Sequence, residues 1–81
     1  MIYYVALPFT RLEEEGGLAP GQAVECPGQG PAIRRAEAMS RDKANAGAVA
    51  FSRSGDPNLG EFEDAVILKA FGEVPDDFAE T

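Results

Sequence analysis

Apolar positions along the chain gather into dense runs separated by connections rich in Gly, Pro and acidic residues. Two of these runs flank a turn-rich, acidic linker in Gly47 to Phe71, GAVAFSRSGDPNLGEFEDAVILKAF. Alternation predicts a β-hairpin there. A strand from Gly47 to Arg53 places Val49, Phe51 and Arg53 on one face, with Ala48, Ala50 and Ser52 on the other. The small Ala48 and Ala50 predict close approach of another backbone. The partner strand, about Phe62 to Gly72, sets Val66, Leu68 and Ala70 against Ala65, Ile67, Lys69 and Phe71. Its segment AVILKAF is the most continuously apolar of the chain, which predicts a central place in a sheet. Ser54–Gly60 is too long for a two-residue hairpin loop and predicts an ordered excursion.

Ile2 to Phe9 is dense in β-branched and aromatic residues and reads as the first strand. Ile2, Tyr4 and Ala6 fall on one face, and Tyr3, Val5, Leu7 and Phe9 on the other. Pro8 marks the end of this strand or an edge position. Thr10 to Gln22, with Glu13–Glu14–Glu15, Gly16–Gly17 and Pro20–Gly21, reads as a long solvated loop with room for a helical turn at Arg11–Glu15. Ala23 to Cys26 is a short extended piece, because Pro27 disfavours helical geometry at Cys26. Pro31 suits a first helical position, so a helix is expected from about Pro31 to Ala44. Its stripe of Ala32/Ile33, Ala36, Met39/Ser40 and Ala44 has helical spacing and mostly small side chains. Gly47 or Asn45 terminates it. The acidic segment from residue 75 to 81 is expected to fray.

The order β-α-β-β predicts an α+β fold, with residues 1–74 as one domain and 75–81 as a tail. Placing the most apolar strand centrally gives a three-stranded, mainly antiparallel sheet. Its order is first strand, hairpin's second strand, hairpin's first strand (1-3-2), a split β-α-β unit. One helix covers one face. The opposite face then lacks cover within the chain, and a homodimer through it is the simplest solution, with a β-sandwich or a swapped dimer serving equally well.

Composition narrows the function. Eighty-one residues allow one domain, and a chain this short buries roughly 60–65% of its unfolded surface. Fourteen acidic residues against seven basic ones give a net charge of −7. No basic surplus exists to neutralise phosphates, which disfavours nucleic acid and anionic membrane as partners. A single Cys26 cannot form an internal disulfide and fits a reducing compartment. MIYYVALPF has no basic n-region and meets Pro8 early, so neither a signal peptide nor a span is expected. A cytoplasmic protein follows.

The chemistry is defined largely by what is missing. The chain has no histidine, which removes Ser-His-Asp and Cys-His catalysis and histidine zinc sites. Cys26 reads first as a packing residue beside Pro27, with a lone nucleophile or redox thiol as the alternative. Asp56–Glu61 begins like a calcium loop, but Gly60 stands where a ligand is needed and Glu61 where glycine is needed. Glu61, Glu63 and Asp64 remain as an exposed carboxylate cluster. No cofactor, metal site or catalytic constellation is therefore expected.

Gly28–Gln29–Gly30 before a helix resembles a phosphate-binding turn, although Ile33 replaces the third glycine of the full fingerprint. Arg34 and Arg35 sit in the predicted first turn, where the helix dipole favours acids. An anion held by the amides of Ala32 and Ile33, with Gly28 and Gly30 giving access and Arg34 or Arg35 clamping it, would reconcile the two. Neutralisation by Glu25, Glu37 or the acidic loop would also do so. Glu37 and Arg41 have the spacing of a surface pair. Ser52, Arg53 and Ser54 stand at the strand-to-loop junction, as turn caps or as lining of a binding loop.

VALPFTRLEEEGGLAPGQAVECP and GAVAFSRSGDPNLGEFEDAVILKAFGEVPDD resemble short bacterial proteins of no assigned function. That resemblance covers most of the chain and implies no activity and no residue role. The β-α-β-β order is also similar to half of a ferredoxin-like or peptidoglycan-binding repeat domain, with the second helix missing. The expected function is non-catalytic association, as a homodimer or with another protein. The alternative is a module for a phosphate, nucleotide or carboxylate ligand at Gly28–Arg35.

Overall fold

The computed structural model describes residues 1–12, 14, 16–56 and 58–76. Its elements are β1 (Ile2–Arg11), β2 (Leu18–Pro20), β3 (Val24–Cys26), α1 (Gln29–Arg41), β4 (Gly47–Asp56), β5 (Glu61–Phe62) and β6 (Val66–Gly72). The fold is α+β, with one helix among the described residues, as the order of apolar runs predicts. Every strand pairing is antiparallel. Glu13, Glu15, Pro57 and the tail beyond Asp76 lie outside the described residues, and with them most of the acidic run and of the expected fraying segment.

The sheet is larger than three strands and ordered differently. β1 and β4 pair along almost their whole length, from Ile2↔Ser54 to Phe9↔Gly47. β2 and β3 lie end to end along the outer edge of β1, while β5 and β6 lie end to end along the outer edge of β4. The main sheet thus has five strands, with the two-residue β5 as a sixth. The hairpin's first strand, β4, is central between β1 and β6, and its second strand β6 is at the edge. Close packing decides this, not total hydrophobicity. Gly47, Ala48, Val49 and Ala50 are all buried, whereas β6 exposes Val66 and Lys69. Small side chains at Ala48 and Ala50 let α1 approach this strand at close range, where both are fully buried.

A split β-α-β unit is present, built from other strands. β3 and β4 both run antiparallel to β1 and are therefore parallel to each other, with β1 between them. α1 makes the connection. Its Ala32 and Ala36 pack on Ala6, Ala48 and Ala50, all five at 0% exposure. Tyr4, Cys26, Ile33, Met39, Leu68 and Phe71 close the sides of this core. The Ala-on-Ala contact is what the helical stripe predicts.

The register of β6 slips once. Ala50 pairs with Lys69, but its neighbour Phe51 pairs with Ile67, so Leu68 is a bulge. Strict alternation, which groups Leu68 with Ala70, therefore fails here. The bulge lets both Leu68 and Phe71 reach the helix side, while Ile67 and Ala70 stand beside Phe51 and Val49 on the other.

The described part of the connection after Phe9 is not a plain loop. β1 continues through Pro8 to Arg11 and turns back as β2, closed by Leu12 N–H to Gly17 O at 2.8 Å and Gly16 N–H to Leu12 O at 2.9 Å. Pro8 does not end the strand. Its carbonyl accepts from Gly21 N–H at 2.8 Å, so its missing donor faces the gap between β2 and β3, where no ladder runs.

α1 begins two residues before Pro31 and stops at Arg41, short of Ala44. The stop has a local cause. Asp42 Oδ1 accepts the Ala44 amide at 2.9 Å, and Asn45 Nδ2 donates to the Met39 carbonyl at 2.9 Å, replacing the next helical bonds. Glu37 and Arg41 form the expected i, i+4 pair at 3.2 Å. β4 continues through Ser54 to Asp56, so the excursion expected over Ser54–Gly60 starts later; the Asp56 carboxylate accepts the Asn58 amide at 2.9 Å and Gly60 takes φ +69°.

Candidate functional site

Two places hold residues that the sequence singles out: the start of α1, and the sheet face turned away from α1.

At the helix start, Gly28 is the N-cap in extended geometry, without a side-chain cap bond, and the first turn has no acid. Because the helix begins at Gln29, Pro31 is its third residue, and the Ala32 amide donates to Gly28 O at 3.1 Å. Ala32 is fully buried and Ile33 half-buried in the core. The outward-facing donors of a first turn are its first amides, here Gln29 and Gly30, since Pro31 has none. Arg34 and Arg35 are exposed. A side-chain carbon on Gly30 would come 3.3 Å from Arg34 Nη1, so Arg34 folds back over the first turn. The structure brings Gly28, Gly30 and Arg34 together. It places Ala32 and Ile33 in the core below them.

The other face of the sheet is built by the opposite parity of the same strands. Glu25, Val5, Phe51 and Ile67 stand side by side across β3, β1, β4 and β6, and Tyr3 stands beside Arg53. Leu7 and Val49 form the next pair along β1 and β4. Tyr3, Val5, Ala23, Glu25, Phe51 and Arg53 line a shallow, mainly apolar groove of about 350 Å³. Tyr3, Val5 and Phe51 are half-buried; Glu25 and Arg53 are exposed. Arg53 Nε donates to the Glu63 carbonyl at 3.1 Å, which fixes its stem at the groove edge. This face is not open throughout. Val49 and Phe9 belong to it by register, yet they are 0% and 1% exposed.

Sequence reasoning names the uncovered face but not this groove. The missing signal was the place of β3. Only its pairing with β1 brings Glu25 beside Val5, and three residues before a proline carry no register information.

The remaining candidates separate. Cys26 is a free thiol packed at the edge of the helix-side core, with Sγ 3.6 Å from Val24 O. Ser54, Asp56, Glu61 and Glu63 line a second shallow groove with Met1 and Gly55. Among the described residues no group of three or more Cys, Asp or Glu is arranged to hold a metal ion. No described helix is long and apolar enough to cross a membrane. No family model matches the chain, and neither a curated protein nor a solved structure matches it.

Proposed function

We propose that the protein acts without catalysis, by associating with a second copy of itself through the sheet face opposite α1. The observation that carries this reading is the groove at Tyr3, Val5 and Phe51. Three apolar side chains, each half-buried, keep part of their surface accessible in one groove on a face that α1 does not cover, and contiguous apolar surface marks association sites.

The sheet edges are poorer candidates. β6 has a bulge at Leu68 and an exposed Lys69, two devices that oppose edge-to-edge pairing. The β1 side is edged by β2 and β3, each of three residues and interrupted between them. Standard interfaces bury about 800 Å² per partner, and the uncovered part of this face is small beside that. Weak association is therefore expected, with a dissociation constant in the micromolar range or above. Sedimentation velocity over a concentration series checks it: the sedimentation coefficient should rise with loading. A single monomeric boundary up to near-millimolar protein would end this reading. The free Cys26 fits a reducing cytoplasm as the place of action.

One observation favours a second reading, an anion held at the start of α1. Arg34 folds back over Gly30, beside an N-cap without a side-chain partner. Phosphate titrated into ¹⁵N-labelled protein should then shift the Gln29 and Gly30 amides saturably, and Arg34→Ala with Arg35→Ala should abolish the shift. Unchanged spectra would return both arginines to ordinary surface charge.

A further inference from the structure

We propose that the groove is self-complementary, and that in the dimer Glu25 of each copy faces Arg53 of the other. This rests on the association reading above and specifies how the two copies meet. Glu25 lies on β3, beside Val5, and Arg53 lies on β4, beside Tyr3. The two charges thus stand on opposite sides of β1 and two residues apart along it, diagonally across the apolar centre. A two-fold axis in the interface plane, crossing β1 between Tyr3 and Val5 at right angles to that diagonal, exchanges them. Each copy then lays its Tyr3, Val5 and Phe51 on the same residues of the other, with a Glu25–Arg53 pair on either side. Such exchange is the defining property of an isologous interface.

Charge makes this arrangement selective. Each copy has a net charge of −7, so two copies repel unless their contact supplies opposite charges locally. The groove supplies one of each sign at positions that the two-fold axis brings together. An anionic partner would leave Glu25 opposed by like charge. The Nε bond to Glu63 O holds the Arg53 stem in place before association, which limits the ordering cost.

The experiment is charge reversal with mixing. Glu25→Arg gives a copy with two cations at the exchanging positions, and Arg53→Glu a copy with two anions. Each variant alone should self-associate about tenfold more weakly or worse. Mixed in equal amounts, they should form a heterodimer of near wild-type affinity, because both cations of one copy then meet both anions of the other. As Arg53→Glu gives up the bond to Glu63 O and could perturb folding, isotope-filtered NOEs in half-labelled wild-type protein provide a second readout. Cross-peaks between Glu25 and Arg53 of different copies are expected.

The outcomes separate the two claims. A monomeric wild type overturns the association reading and this inference with it. A wild-type dimer that both variants leave unchanged overturns the inference alone and moves the interface elsewhere. Weakened variants that mixing fails to rescue, or a dimer without the NOEs, show that the two residues do not face each other, which also overturns it.

Discussion

Gly47→Ala is expected to destabilise the protein by more than about 3 kcal/mol, enough to unfold much of it at physiological temperature. Gly47 sits where three chain segments converge. It pairs with Phe9 of β1 and Gly72 of β6, and the chain leaving β6 runs directly across it. A Cβ here would overlap the Glu73 carbonyl oxygen and stand 2.5 Å from Phe71 O and 2.6 Å from Glu73 N. All three are backbone atoms and cannot rotate aside. Relief would require β6 to leave β4, breaking the Glu73 N–H to Ala46 O bond at 3.1 Å as well. At roughly 0.05–0.15 kcal/mol per residue, an 81-residue chain has a total stability of only roughly 4–12 kcal/mol. Thermal unfolding followed by far-ultraviolet circular dichroism should show a loss of roughly 12 °C or more. Gly60→Ala is the matched control. Gly60, unlike Gly47, has positive φ, and nothing lies within 4 Å of its added Cβ, so only the left-handed penalty of about 1–2 kcal/mol applies. Equal effects at the two glycines would show that the crossing at Gly47 is not tight.

Phe9→Ala should cost about 3–5 kcal/mol, the range for truncating a fully buried aromatic ring. Phe9 is 1% exposed and, with Val49, among the largest fully buried side chains. It lies on the face away from α1, outside the alanine core. Its truncation therefore reports on how firmly that end of the sheet is closed. Urea unfolding should show a lower midpoint at unchanged slope, since the surface exposed on unfolding barely changes. Phe51→Ala gives the contrast. Phe51 is only half-buried, so truncation should cost the folded chain less while removing a large part of the association surface. A loss below about 1 kcal/mol at Phe9 would mean that this end is as open as the groove.

The groove was half legible. Tyr3, Val5 and Phe51 fall on one face by simple alternation, and α1 lies on the other. Glu25 could not be placed by pattern, because Ala23 to Cys26 is too short to have a period. The anion-site residues show the opposite error. Gly28, Gly30 and Arg34 do gather at the start of α1. Taking Pro31 as the first helical residue, however, moves the expected donors three residues down the helix, from Gln29 and Gly30 onto the buried Ala32 and the half-buried Ile33.

Local pattern alone sufficed for the α+β class, the single helix and its alanine face. It also sufficed for which residues of β1 and β4 share a side. These follow from periodicity, which the backbone enforces wherever a strand or helix forms. Three-dimensional packing was needed to settle which strand is central, that Leu18–Pro20 pairs with β1 as β2, and where the β6 register slips. Each of these depends on which backbones can approach each other. A Cβ at Gly47 would meet the backbone of Phe71 and Glu73, and Ala48 and Ala50 are fully buried against Ala32 and Ala36 of the helix. The more apolar AVILKAF was left at the edge, because hydrophobic content measures how much a strand gains by burial, while side-chain volume decides where it can be buried.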